Sequence, residues 1–317
     1  MKTVSVMYSR KKFLKHAVLS AGALVAGPAM LEAAAYLSPL KLTILHTNDV
    51  HSRLDPFPMD GSRNQGQGGV SARAAIIKKI RSEEEQVLLL DAGDIFQGTP
   101  YFNLYKGEPE MRAMAAMKYD ACTIGNHDFD AGLENLSTQL MGHANFPMIV
   151  SNYDFTGTPM EQKTIPYKIF NKGKLKIGIF GLGIKMRGLI PDNLVGATKY
   201  LDPIVKANEL AARLRKQEKC DMVICLSHLG YKYREADLVS DEVLAKETEN
   251  IDLIIGGHTH TFLNVPVIAK NKTGDDVIIN QVGWAGIILG RLDFEFARNS
   301  GKKLVNSHAI SVMEKAV

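Results

Sequence analysis

Short apolar runs recur along this 317-residue chain, separated by Gly, Pro, Asn and Asp and by longer stretches with helical spacing. Lys41–Thr47 alternates apolar and polar positions, whereas Val87–Leu90, Ala121–Ile124, Met148–Ser151, Leu175–Leu182, Met222–Leu226, Ile251–Ile255, Val277–Val282 and Ile287–Phe296 are compact runs of mainly apolar residues. A period of two, or an apolar run of roughly four to eight residues bounded by turn formers, predicts strands, the second kind covered on both faces. Val70–Glu85 sets Val70, Ala74, Ile77 and Ile80 near the helical repeat, and residues 108–118, 201–216 and 240–249 also read as helices. Asp55–Gly69, rich in Pro and Gly, predicts a loop. Strands alternating with helices over residues 41–317 predict an α/β domain with mostly buried sheets.

The pattern changes at the N-terminus. Ser9-Arg-Lys-Lys-Phe-Leu-Lys15 is basic, Ala17–Leu31 is a 15-residue apolar stretch, and Ala33-Ala-Ala35 offers a small-residue cleavage site. That order predicts an export signal over residues 1–35, followed by a spacer at 36–40, and a mature protein that is periplasmic or secreted. A spanning helix needs roughly 20 apolar residues, so no stable membrane span is expected after cleavage. The Ser-Arg-Lys-x-Phe-Leu-Lys order resembles a twin-arginine signal, with Lys11 where the second arginine belongs. The general secretory route therefore stays open. Lys2, Arg10, Lys11, Lys12 and Lys15 stand against Glu32 alone in this segment, so the net charge of +4 resides there and the rest of the chain is balanced. The basic balance thus gives no support for a nucleic-acid partner. Cys220 and Cys225 bracket an extended run too long for one disulfide, and all three cysteines, with Cys122, are expected as buried free thiols.

Polar chemistry collects where the apolar runs end: Asp49 and His51, Asp94, Asn126 and His127, His228, and His258 and His260. Taken singly, each block has a bland reading. Asp91–Asp94 suits a capped turn, and His228 suits a satisfied core histidine. Together they follow one rule, because each lies just past the C-terminal end of a predicted strand, the edge on which α/β sheets build their sites. Carboxylate, amide and imidazole without thiolate suit Mn, Fe, Co or Zn. Seven such donors can hold two ions side by side, the arrangement that supports in-line attack of water on a phosphorus ester.

The residues that carry a family resemblance are His46-Thr-Asn-Asp-Val-His51, Leu90-Asp-Ala-Gly-Asp-Ile-Phe-Gln-Gly-Thr-Pro100, Ile124-Gly-Asn-His-Asp-Phe-Asp130, Leu226-Ser-His-Leu-Gly230 and Ile255-Gly-Gly-His-Thr-His260. In order and context they resemble the calcineurin-like metallophosphoesterases, and more narrowly the metallophosphatase domain of the 5′-nucleotidase / UDP-sugar hydrolase family, from about Leu42 to about Phe296. The resemblance implies a four-layer α/β/β/α sandwich of two mixed sheets. It implies two divalent metal ions: Asp49, His51 and His260 for one, Asn126, His228 and His258 for the other, and Asp94 bridging them. It makes His127 the catalytic donor to the phosphoryl group, with Asp130 orienting it, and puts Asn126 and His127 against substrate. Asp128, where the family often has Glu, is not a ligand, and the difference is expected to matter little. Arg53 and Arg187 are further candidates for contact with an anionic substrate. The implied activity is hydrolysis of phosphate esters, above all 5′-nucleotides, by hydroxide held between the ions. A 2′,3′-cyclic or other phosphodiesterase is the alternative within that chemistry. Family members usually carry a C-terminal nucleotide-binding domain without counterpart in this sequence, so a separate polypeptide supplying it is a possible partner, making this chain a catalytic subunit.

Overall fold

A computed structural model describes residues 39–235, 238–297 and 301–313. The export segment expected at 1–35 and most of the spacer lie outside the described residues. The chain divides into two compact units, residues 1–40 with 295–303, and residues 41–294 with 304–317. The second unit holds every candidate site residue.

The elements in chain order are β1 (Leu40–Thr47), α1 (Val70–Glu83), β2 (Val87–Asp91), α2 (Pro100–Tyr105), α3 (Glu108–Ala116), β3 (Ala121–Cys122), α4 (Gly132–His143), β4 (Tyr153–Asp154), β5 (Tyr167–Lys172), β6 (Leu175–Leu182), α5 (Asp192–Val195), β7 (Lys199–Tyr200), α6 (Pro203–Ala212), β8 (Met222–Ser227), α7 (Asp241–Glu247), β9 (Leu253–Gly256), β10 (Val267–Lys270), β11 (Asp276–Asn280), β12 (Ile288–Ala297) and β13 (Gly301–Ser311). They form a five-stranded sheet ordered β13-β12-β1-β2-β3, a six-stranded sheet ordered β10-β11-β9-β8-β6-β5, and a small β4-β7 pair. In the six-stranded sheet, β6, β8, β9 and β11 run parallel, while β5 and β10 are antiparallel edges.

Alternation along the central strands explains the layering. On β2, Leu89 packs with Ile77 and Ile80 of α1, Met111 of α3 and Leu136 of α4 in one core cluster, while the equally buried Leu88 and Leu90 point to the other face. On β8, Val223 and Cys225 pack with Leu210 of α6 and Leu244 of α7, leaving Met222, Ile224 and Leu226 for the opposite face. Each sheet therefore has a helix-covered face and a second buried face. A side-chain contact ties the sheets together: Asn280 Nδ2, at the end of β11, lies 2.9 Å from His46 Nε2 of β1. This is the expected α/β sandwich, with helices outside two facing sheets.

Several boundaries differ from the pattern-based expectation. Met148–Ser151 pairs only through isolated bridges, Cys122 with Met148 and Ile149 with Ile165. The helix expected over 201–216 starts at Pro203, after Asp202 caps the amides of Ile204 and Val205, and closes in a wider turn, Arg213–Gln217. Not expected are α2, α4, α5, β4, β5, β7, β10 and β13. Of these, β10 and β13 are edge strands whose exposed or half-exposed residues show little apolar run to read. The three cysteines are free and buried, as expected.

Candidate metal centre

Register brings the strand ends abreast. Thr47 of β1 pairs with Asp91 of β2, Asp91 with Cys122 of β3, and Ser227 of β8 with Gly256 of β9. The loops beyond these strand ends stay bonded to one another: Asp49 N donates to Gly93 O at 2.9 Å, His51 N to Asp94 O at 3.0 Å, and Ser52 N to Ile95 O at 2.8 Å. Across the sheets, His258 N sits 3.0 Å from both carboxylate oxygens of Asp49. No room remains for a side chain at Gly257, where a Cβ would meet His228 Nδ1 at 2.8 Å and Ala92 O at 2.9 Å.

The donors expected from sequence do converge. Asp49, His51, Asp94 and His260 form one group of potential ligand atoms, and Asp94, His228 and His258 a second, with Asp94 common to both. His51 Nε2 lies 3.0 Å from His260 Nε2 and 3.8 Å from Asp94 Oδ2. His260 Nε2 lies 3.4 Å from Asp49 Oδ1, and His228 Nε2 3.2 Å from Asp94 Oδ2. Asn126 joins the second group through its Oδ1, 2.7 Å from His258 Nδ1. His228 Nδ1–H donates to Ala92 O at 2.6 Å, which fixes the tautomer and leaves Nε2 bare. That Nε2 is fully buried and faces the carboxylates of Asp94 and Asp49, at 3.2 Å and 3.9 Å, without a well-aligned hydrogen bond to either. A buried ring nitrogen aimed at a shared carboxylate fits a metal ion far better than it fits a structural role. Asp49, His51, Asp94, His258 and His260 all have φ between 49° and 72°. Non-glycine residues rarely adopt that conformation and pay about 1–3 kcal/mol for it, so its concentration on donors marks a functional loop cluster.

Electrostatics point the same way. Burial pushes His258 down to about 4, helped by His228, and holds His51 below its ordinary value, so both rings are neutral as ligands must be. Burial also works against charge on His228, yet the facing carboxylates of Asp94 and Asp49 overcome it and raise its pKa to about 10. The pocket between these carboxylates therefore demands a cation, a proton here or a metal in its place. Burial likewise opposes charge on His127, but a 2.8 Å bond to Asp130 Oδ2 and the carboxylates of Asp94, Asp130 and Asp128 raise its pKa overall. His127 is bound into the site through its backbone, donating to Asp94 Oδ1 at 2.8 Å, and its ring sits 5.2 Å from that of His51.

Three supporting residues carry roles that the sequence pattern does not reveal. Asp128 is no ligand, but it is buried and its carboxylate accepts from the amides of Asp94, Ile95, Phe96 and Gly125 at 2.8–3.1 Å. It locks the Asp94 loop to the Asn126 loop. Asn48 donates to Asp49 Oδ2 and to Gly283 O, and accepts from Val282 N. Its place beside Asp49 is the only signal of this in the sequence. Trp284, the only tryptophan of the chain, stacks on His260 with ring centroids 5.9 Å apart, and nothing in its sequence context announces this. Of the two arginines, Arg53 stacks over Phe57 at 4.1 Å, and Phe57 in turn meets Trp284 edge-on. Arg187 lines a cavity that also reaches His258. Neither has a direct contact to the donor cluster.

Fold and donor set together define an α/β sandwich with a candidate metal centre between its sheets, and similarity to known proteins names the family. The profile of the calcineurin-like phosphoesterases matches residues 42–262, so the chain belongs to that family. Within it the similarity is to 5′-nucleotidases. The snake venom 5′-nucleotidase of Crotalus adamanteus is 35% identical over 277 residues, covering 81% of this chain and 45% of that protein. The crystal structure of a 5′-nucleotidase precursor from Thermus thermophilus superposes with a TM-score of 0.76 at 30% identity, over 86% of this chain and 55% of that one. The NAD nucleotidase of Haemophilus influenzae gives 0.75 at 27% identity, over 87% and 51%. The chain thus spans about half the length of the curated relatives it matches.

Proposed function

We propose that this chain is the catalytic domain of an exported, two-metal phosphoesterase whose substrates are small phosphate monoesters, 5′-nucleotides above all. The observation that carries the reading is the buried Nε2 of His228, 3.2 Å from a carboxylate shared by two groups of potential metal donors. Asp49, His51 and His260 would hold one ion, Asn126, His228 and His258 the other, and Asp94 would bridge. When bound, such a pair supplies an activated water and neutralises charge on the phosphoryl oxygens. The chain's own part is positioning. Asp130 holds the His127 ring by accepting from its Nδ1–H, so the outer nitrogen, Nε2, faces the site, and the raised proton affinity of the ring favours a second proton there, where negative charge grows on the phosphoryl group. Asn126, beside His127, would turn its amide donor toward the same group. The Asp128 clamp keeps Asp94 and Asn126 at fixed separation. Export rests on the basic, apolar and small-residue order of residues 1–35, and no helix among the described residues is long and apolar enough to cross a membrane.

The test is a substrate panel. Purified mature chain, stripped and reloaded with Mn, Co, Zn or Mg, should release inorganic phosphate from nucleoside monophosphates and aryl phosphates, and chelator should abolish the release. Preference for bis(aryl) phosphodiesters or cyclic nucleotides over all monoesters would overturn the assignment.

A further inference from the structure

A cavity of about 660 Å³ opens beside the donor cluster, and His258 is part of its wall. The volume lies within the roughly 300–1,000 Å³ usual for small-molecule sites. Three segments meet around it: the loop after β6 (184–189), the end of β7 with the start of α6 (200–203), and Leu229, Tyr233, Leu238 and Val239 beyond β8. Leu189, Leu229, Leu238 and Val239 line it together with Tyr200 and Tyr233. Leu189 and Leu238 are 46% and 41% exposed, so apolar surface is left bare next to a strongly polar centre. Tyr233 Oη already donates to Leu229 O at 2.5 Å. The two rings therefore offer area and faces, and the Tyr233 proton is committed to the chain itself. Lys185 and Arg187, both exposed, add positive charge to the lining.

We infer that this cavity seats the planar aromatic part of the substrate's leaving group, a base or an aryl ring, while its phosphate lies among the donors that include His258. The inference rests on the phosphoesterase reading above and adds where the non-reacting half of the substrate goes. It also sets the kind of selectivity. Strong rejection of a wrong base requires buried donors and acceptors that the wrong base leaves unpaired. With a wall of Leu189, Leu229, Leu238 and Val239 and the Tyr233 proton already given to Leu229 O, the seat selects mainly by shape and apolar area. AMP and UMP should therefore differ by less than about tenfold in kcat/KM.

The experiment uses the metal-loaded chain carrying Leu189→Ser with Leu238→Ser, both partly exposed positions away from the donors. KM for AMP, UMP and para-nitrophenyl phosphate should rise about tenfold or more, with kcat within about threefold. KM for glycerol phosphate, which has no aromatic part, and inhibition by inorganic phosphate should stay as in the wild type. Leu189→Met with Leu238→Met should restore the aromatic KM values. The nucleotide and aryl arms separate a base from a plain ring as occupant. Saturation-transfer NMR with adenosine reads the seat without turnover: contacts to its ring protons should be present in the wild type and lost in the double serine variant. Unchanged aromatic KM, or an equal rise for glycerol phosphate, would overturn the seat while leaving the esterase reading intact. Adenosine contacts without hydrolysis of any ester would do the reverse.

Discussion

Asp128 holds no ion in the proposed assignment, yet four backbone amides depend on its carboxylate. Asp128→Ala strands those donors in a buried site, each worth about 1–3 kcal/mol when left unmet, although relaxation will recover part of the loss. Chemical denaturation should show a loss of at least about 2 kcal/mol, and equilibrium dialysis should show weaker metal binding. His127 should behave in the opposite way. His127→Ala should retain metal and lose roughly 10²–10⁴-fold in kcat, the range for a positioned acid or electrostatic stabiliser, with Asp130→Ala acting in the same direction more mildly. Metal loss on His127→Ala would show that the ring is a ligand. The donors themselves were legible in sequence because their residue types and spacing after apolar runs are local properties. The Asp128 clamp and the Trp284 stack on His260 were not, because each is a long-range contact that no spacing encodes.

At the scale of elements, strand ends were legible and strand extents were not. β2, β6 and β8 are buried throughout or nearly so, so their apolar runs end where the strands end. β3 is only two residues long because the chain turns at once into the Asp128-bonded loop, and β13 is an exposed polar strand held by pairing. The left-handed conformation of five donors was also not readable, since Asp and His enter that region more readily than most residues but at only a minority of positions. The contact between sheets gives a pH prediction. His46 is fully buried beside Asn280, and desolvation lowers its pKa from 6.5 to about 3. Its unfolded form binds a proton first, so its contribution to stability is full above pH 6.5 and is lost as pH falls toward 3. Metal-free wild type should lose up to about 1.4 kcal/mol per pH unit from this group below pH 6.5. His46→Gln should flatten that slope in urea melts between pH 7 and 5, and an unchanged slope would mean the ring is not buried neutral.

For the molecule as a whole, the centre sits where the two sheets meet. Asp49, His51, Asp94 and Asn126 follow strands of the five-stranded sheet, and His228, His258 and His260 follow strands of the six-stranded one. In the proposed assignment each ion takes ligands from both sheets, and Asp94 belongs to both ions. The fold class and the family were readable because five separate blocks agree, though each alone is weak. Of the cavity beside His258 only Arg187 was singled out, because its apolar wall joins residues 184–203 to residues 229–239, which only the fold brings together. The most direct test of the whole reading is elemental analysis of the mature protein, purified without chelator, alongside Asp94→Asn. A shared bridging carboxylate predicts about two transition-metal ions per wild-type chain and the loss of most of both in the variant, with the fold retained by circular dichroism. One ion per chain, or a variant that loses one and keeps the other at full affinity, would contradict it.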